Sequence, residues 1–220
     1  IATNQLEKAK SAAKEWHEQS PDTAAPLIYL GNIATAEGAY QEAAQYLDKA
    51  SKLKGAENEV VYSRAKLLVA EGKKDDAISS LRAFIDKNPA DVPALALWFA
   101  LATEKGNAEQ VIKHTQQQFN AKKGDLNLRL LLARMYSLNN QLDKTVSLLA
   151  DVEGNEASPQ AFWNLKGQAL IATNNLKDAT AFFDRWLSFY PQDKNAVLGK
   201  LLIVDSQKQF EQGLTLINKV

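Results

Sequence analysis

The chain has 220 residues, 26 Lys+Arg against 26 Asp+Glu, and therefore a formal net charge of zero. With no Cys at all, a disulfide framework and a thiolate metal site are excluded, and the balanced charge without a basic stripe argues against nucleic acid as a partner. No apolar run approaches the ~20 residues that span a bilayer, so direct membrane insertion is not expected of these residues.

Taken in chain order, the sequence repeats. Gly31, Ala65, Phe99, Ala133, Gly167 and Leu201 recur every 34 residues. Ala9, Ala43, Ala77, Val111, Thr145, Ala179 and Gly213 keep the same step, as do Pro21, Gly55, Pro89, Lys123, Ala157 and Pro191. A fourth column reads Asn4, Gly38, Gly72, Gly106, Asn140 and Asn174. A fixed period of this size predicts a repeat array rather than separate globular domains.

The first element is a lone helix over 4–20. Five full units follow, 24–57, 58–91, 92–125, 126–159 and 160–193, and 194–220 begins a sixth. Within 24–57, Leu27, Leu30, Gly31 and Ala34 fall on one face of a first helix. Gly38 breaks that pattern, and Tyr40, Ala43, Ala44, Leu47 and Ala50 make a second amphipathic helix. No segment alternates with period two, so no strand is predicted. Small residues at Gly31, Ala65, Ala133 and Gly167 suit the crossing of two close helices. Leu47, Leu81, Leu149 and Phe183, then Trp16, Phe84, Val152 and Trp186, read as core, with Trp98 and Trp163. Asp91 and Ser158 precede prolines and read as helix caps.

Unit 92–125 departs most. Its first helix is apolar nearly all round from Ala94 to Ala102, which predicts burial on more than one side. Its second helix offers Val111, Thr115 and Gln118 where its neighbours carry Ala, Leu and an aromatic, so 106–124 is expected to be the weakest segment.

The unit from Trp163 to Pro191, with Gly167, Leu170, Ala179 and Phe183 between them, resembles the tetratricopeptide repeat in the spacing of those residues. Lys166 and Leu170 stand where the pattern has Leu and Tyr. The resemblance covers essentially the whole chain and implies an all-α solenoid of helix–turn–helix hairpins forming a right-handed superhelix. A fainter likeness, in Leu130–Tyr136 and Phe162–Gly167, is to tetratricopeptide lipoproteins of bacterial exosortase-linked envelope systems. It favours the periplasm or envelope over the cytoplasm. Both ends read as cut mid-array, so the chain is expected to be a fragment. Leu6, Ala9 and Ala13 at one end, and Leu214, Ile217 and Val220 at the other, are expected to lack packing partners, which opens a route to self-association.

Catalytic patterns do not appear. His17 and His114, the two histidines, lie almost three periods apart, and no H-E-x-x-H, Gly-rich phosphate loop or G-x-S-x-G occurs. Asp75-Asp76 opens a helix, where carboxylates favour the helix dipole. The sequence therefore predicts a non-enzyme without cofactor or metal.

The resemblance further implies that the second face of each first helix, about 100° from its core face, lines a concave groove. That face carries Ala25, Ile28, Asn32 and Thr35, then Glu59, Tyr62, Lys66 and Val69. Pro93, Ala96, Ala100 and Thr103 follow, then Asn127, Leu130, Arg134 and Ser137. Ala161, Asn164, Gln168 and Ile171 come next, and Asn195, Leu198, Leu202 and Asp205 end it. The candidate partner-binding residues are Asn32, Tyr62, Lys66, Asn127, Leu130, Arg134, Asn164, Gln168 and Ile171. Lys66 and Arg134 stand two units apart, so no cluster for a terminal carboxylate forms. A neutral extended peptide or partner helix is the expected ligand of a protein-interaction scaffold. The alternatives are a self-associating structural module and a small-ligand or glycan site, which requires a compact pocket at Tyr62 or Asn164.

Overall fold

The computed structural model describes residues 2–217, and all regular structure among them is α-helical. Val220, expected to be exposed, lies outside the described residues. Two compact units emerge, Ile1–Val111 and Ile112–Val220.

The first unit contains α1 (Ala2–Gln19), α2 (Ala24–Ala36), α3 (Tyr40–Ala50), α4 (Glu57–Ala70), α5 (Lys74–Ile85), α6 (Val92–Glu104) and the start of α7 (Ala108–Ala121). The second holds the rest of α7, then α8 (Leu126–Leu138), α9 (Leu142–Leu148), α10 (Gln160–Ala172), α11 (Leu176–Phe189), α12 (Lys194–Ser206) and α13 (Phe210–Ile217). Sequential helices pack as antiparallel neighbours, α2 on α3, α4 on α5, α8 on α9 and α10 on α11, and first helices also touch, α2 with α4 and α10 with α12.

The turn inside each hairpin is set by the Gly/Asn column. Gly38, Gly72, Gly106, Asn140, Asn174 and the next member, Lys208, all have φ between 54° and 80°. There the chain leaves the helix in the left-handed region, and the following N–H reaches back to a late carbonyl, as Ala39 N does to Ala34 O at 2.9 Å. Asn4 differs, because it lies within α1. A second column caps the first helices. Asp91 accepts from Ala94 N, Asp125 from Leu128 N and Asp193 from Ala196 N. Pro159 occupies that place before α10. Ser158 therefore does not cap α10, and its hydroxyl instead accepts from Asn155 N at 3.0 Å.

The crossings need the small residues that the sequence supplies. A Cβ on Gly31 would lie 2.9 Å from Leu47 Cδ2, and one on Gly167 would lie 2.8 Å from Phe183 Cζ. Leu47, Leu81, Leu149, Phe183, Trp98, Trp163 and Trp186 are buried, while Phe84 and Val152 are half-buried. Trp16 is not core. It is 41% exposed, because α1 packs on α2 alone among the described helices and Tyr29 is its aromatic neighbour, with ring centroids 6.0 Å apart.

The segment expected to be weakest is not depleted. In α7, Val111, Ile112, Thr115 and Phe119 are all buried, and the helix runs 14 residues. The short helix is α9, with 7 residues. The chain after it carries Asp151, Gly154, Asn155 and Pro159, none of which favours continued helix.

Candidate functional site

In the first unit, the parallel helices α2 and α4 bound an open cavity of about 640 Å³. One wall is Ala25, Ile28, Tyr29 and Asn32. The other is Glu59, Tyr62, Ser63 and Lys66, and Asp22, Lys54 and Gly55 close the end where both helices start. The charged lining is two carboxylates and two ammonium groups, so the cavity has no net charge.

Of the residues chosen from sequence, Asn32, Tyr62 and Lys66 meet in this cavity. Lys66 is exposed and Asn32 half-buried. Tyr62 also has a structural task. Its hydroxyl donates to Asp91 Oδ1 at 2.6 Å, the same oxygen that caps α6, and its ring meets Phe84 edge-on at 5.9 Å. Burial, then the bond to Asp91, pushes its pKa well above the usual phenol value.

The second unit places its residues differently. Asn127, Arg134 and Gln168 are exposed. Asn164 is half-buried and its Oδ1 accepts from Asn195 Nδ2 at 3.2 Å. Leu130 is 8% exposed and belongs to the core cluster, against which Ile171 also packs. Leu130 therefore serves the core, because its period position falls where α8 meets α10 rather than on open surface.

A second cavity in this unit, about 460 Å³, lies beside the segment after α9. Val146, Val152, Glu153, Lys166, Phe182 and Arg185 are among its lining. The ammonium of Lys166 donates to the carbonyls of Leu149 (2.8 Å), Ala150 (3.3 Å) and Val152 (2.9 Å), which closes the C-terminal end of α9. Arg185 Nε holds Gly154 O at 2.6 Å, and Tyr190 OH holds Glu156 O at 2.5 Å. A Cβ on Gly154 would lie 2.2 Å from Trp163 Cη2, so the segment lies directly on the aromatic core. Burial lowers the pKa of Lys166, against the opposing pull of Asp151, Asp178 and Glu153. These polar groups serve the fold of 149–159.

Sequence reasoning missed Tyr29, which is 57% exposed and lines the first cavity. Its period column holds Ser63, Leu97, Leu131, Leu165 and Gly199. The column has no shared chemistry, so the repeat could not flag it. The signal was the oddity itself, an aromatic where the other units carry aliphatic or small side chains. Among the described residues, no group of three or more His, Asp or Glu is arranged to hold a metal ion, and no helix is long and apolar enough to cross a membrane.

Residues 130–194 match the tetratricopeptide repeat family model. No curated protein sequence matches the chain. Similar solved folds include the APC/C hetero-tetramer Cut9–Hcn1, with 16% identity and TM-score 0.55, where 98% of this chain covers 42% of that one. A tetratricopeptide repeat protein from Parabacteroides merdae is 16% identical at TM-score 0.54, with 100% and 87% covered. A Naa15/Naa10 complex bound to HypK-THB is 12% identical at TM-score 0.53, with 98% and 34% covered. The chain thus spans less than half of the Cut9–Hcn1 and Naa15/Naa10 chains it resembles. Residues 130–194 thus match the tetratricopeptide repeat by sequence, and the described length has the all-α hairpin fold seen in tetratricopeptide-repeat structures.

Proposed function

We propose that the chain is a non-catalytic protein-interaction scaffold that receives an extended peptide or partner segment along the open faces of its first helices. The observation that carries this reading is the cavity between α2 and α4. Ala25, Ile28, Asn32, Glu59, Tyr62 and Lys66, all on that face by period, line one open space. Repeat arrays bind through surfaces made jointly by successive units, and neighbouring first helices supply that here. Two of the similar folds come from multi-protein complexes, which supports a protein as the partner.

The test begins with a partner captured by the full-length protein and then titrated against variants. Asn32→Ala with Lys66→Ala should weaken binding roughly thirtyfold, if two hydrogen bonds of about 1 kcal/mol each are lost. Gln45→Ala, at an exposed position of α3, should leave it unchanged. The reverse result would place the partner on the other side of the hairpins.

A further inference from the structure

We propose that the cavity between α2 and α4 takes a neutral, proline-rich segment of the partner in the polyproline II conformation, seated against Tyr29 and Trp16. The inference rests on the peptide-binding reading and names its ligand class. Trp98, Trp163 and Trp186 are at most 5% exposed, whereas Trp16 is 41% exposed and Tyr29 57%. Tyr29 lines the cavity on its α2 wall, and Trp16 of α1 stands next to Tyr29 just outside the lining, the two rings tilted 43° to each other. Two tilted rings make a bent apolar ledge, which suits a puckered pyrrolidine ring better than the flat face of a sugar. Exposed Tyr and Trp beside a cavity are the residue types that dominate binding energies.

The polar groups agree. The Tyr29 hydroxyl and the Asn32 amide both belong to residues that line the cavity. They stand one turn apart on α2. A polyproline II segment has no internal hydrogen bonds, so its carbonyls are free to accept from such donors, and every third residue faces the same way. Asp22 and Glu59 balance Lys54 and Lys66, so the cavity offers no net field to a charged peptide.

The experiment uses the whole protein and its tryptophan emission, to which Trp16 contributes the one exposed indole. The probes are an acetylated, amidated decaproline, a glycine–serine peptide of equal length, and a neutral glucan hexasaccharide. Decaproline should give a saturable blue shift that persists in 0.5 M salt, because a contact between neutral groups has little charge–charge attraction for salt to screen. The other two probes should give none. Tyr29→Ala should weaken decaproline binding at least about fivefold, and Tyr29→Phe by less. Unchanged circular dichroism would show that both variants fold. Absence of decaproline binding, binding of the glucan instead, or equal binding by Tyr29→Ala would each overturn the proposal. A captured partner without a proline run that still depends on Asn32 and Lys66 would sink this inference and leave the peptide-binding reading standing. A partner indifferent to both residues would remove that reading as well.

Discussion

The α2–α4 wall of the first unit and the α10–α11 hairpin of the second come from the same 34-residue repeat, yet they place their aromatic side chains oppositely. In the first, Trp16 and Tyr29 are exposed beside a cavity. In the second, Trp163, Phe182, Phe183 and Trp186 close into one cluster, with Trp163 and Trp186 stacked at 5.7 Å. That packing is tight enough to leave the indole N–H of both tryptophans without a partner. The repeat fixes where the backbone crosses. It leaves open whether a bulky side chain beside the crossing is sealed or offered to a ligand.

The largest expected effect tests this directly. Trp163→Ala should cost roughly 3–5 kcal/mol in urea unfolding, the usual range for a fully buried aromatic. Trp16→Ala should cost under about 1 kcal/mol, since 41% of its surface already meets water. Similar losses at both sites would end the contrast between a sealed and an open cluster.

The segment after α9 gives the next test. Lys166→Met should destabilise the protein at pH 7 by about 1–3 kcal/mol, because three carbonyls lose their donor. The pH dependence has a definite sign. Burial holds the folded-state pKa of Lys166 below its ordinary 10.5. Between those two values the unfolded chain holds a proton that the folded one has released, so this group's contribution rises with pH up to 10.5 and is lost as pH falls through the folded value. The stability of the wild type relative to Lys166→Met should therefore increase across that window. A decrease would mean that the ammonium is stabilised in place. Because α9 has 7 residues and α11 has 14, hydrogen exchange should be faster in 142–149 than in 177–188. The sequence pointed instead to 106–124.

That misjudged segment shows what was legible. The period, the hairpin order and the small-residue crossings follow from spacing, because helix contact geometry constrains residue size at fixed steps. The shortness of α9 did not follow, because Thr145 and Leu149 keep their period positions and are fully buried. Only the composition from Asp151 to Pro159 ends the helix. The lysine that stabilises this ending, Lys166, sits on the next helix, where the repeat pattern has Leu. Leu130 is buried in the core for a related reason. A period assigns a helix face, but whether that face is covered depends on how neighbouring first helices approach, which one sequence column does not encode. Asn32, Tyr62 and Lys66 fell together because α2 and α4 leave that face open. Tyr29 had no column to announce it.

A smaller effect separates the two units at their turns. Lys208 has φ 58° in the column where Gly72 has φ 80°. A non-Gly side chain in the left-handed region costs roughly 1–2 kcal/mol. Lys208→Gly should stabilise by about 1 kcal/mol, less the entropy that glycine gains in the unfolded chain. Gly72→Ala should destabilise by a similar amount. Equal melting temperatures for Lys208→Gly and the wild type would show that the last turn relaxes without strain.

The smallest stability effect is expected on the second unit's open face. Asn164 is half-buried and Gln168 exposed, and the one bond lost is that from Asn195 at 3.2 Å. Replacing both with Ala should leave stability within about 0.5 kcal/mol. Binding is the informative readout. If the partner also contacts this face, this pair should weaken it roughly thirtyfold, as Asn32→Ala with Lys66→Ala should, because each pair removes comparable hydrogen bonds. If the α2–α4 cavity alone anchors the partner, the loss belongs to the first pair and the second changes affinity by less than about twofold. A titration of both double variants against the same captured partner therefore decides whether the second unit's open face takes part in binding or whether the exposed aromatics and the cavity beside them carry recognition alone.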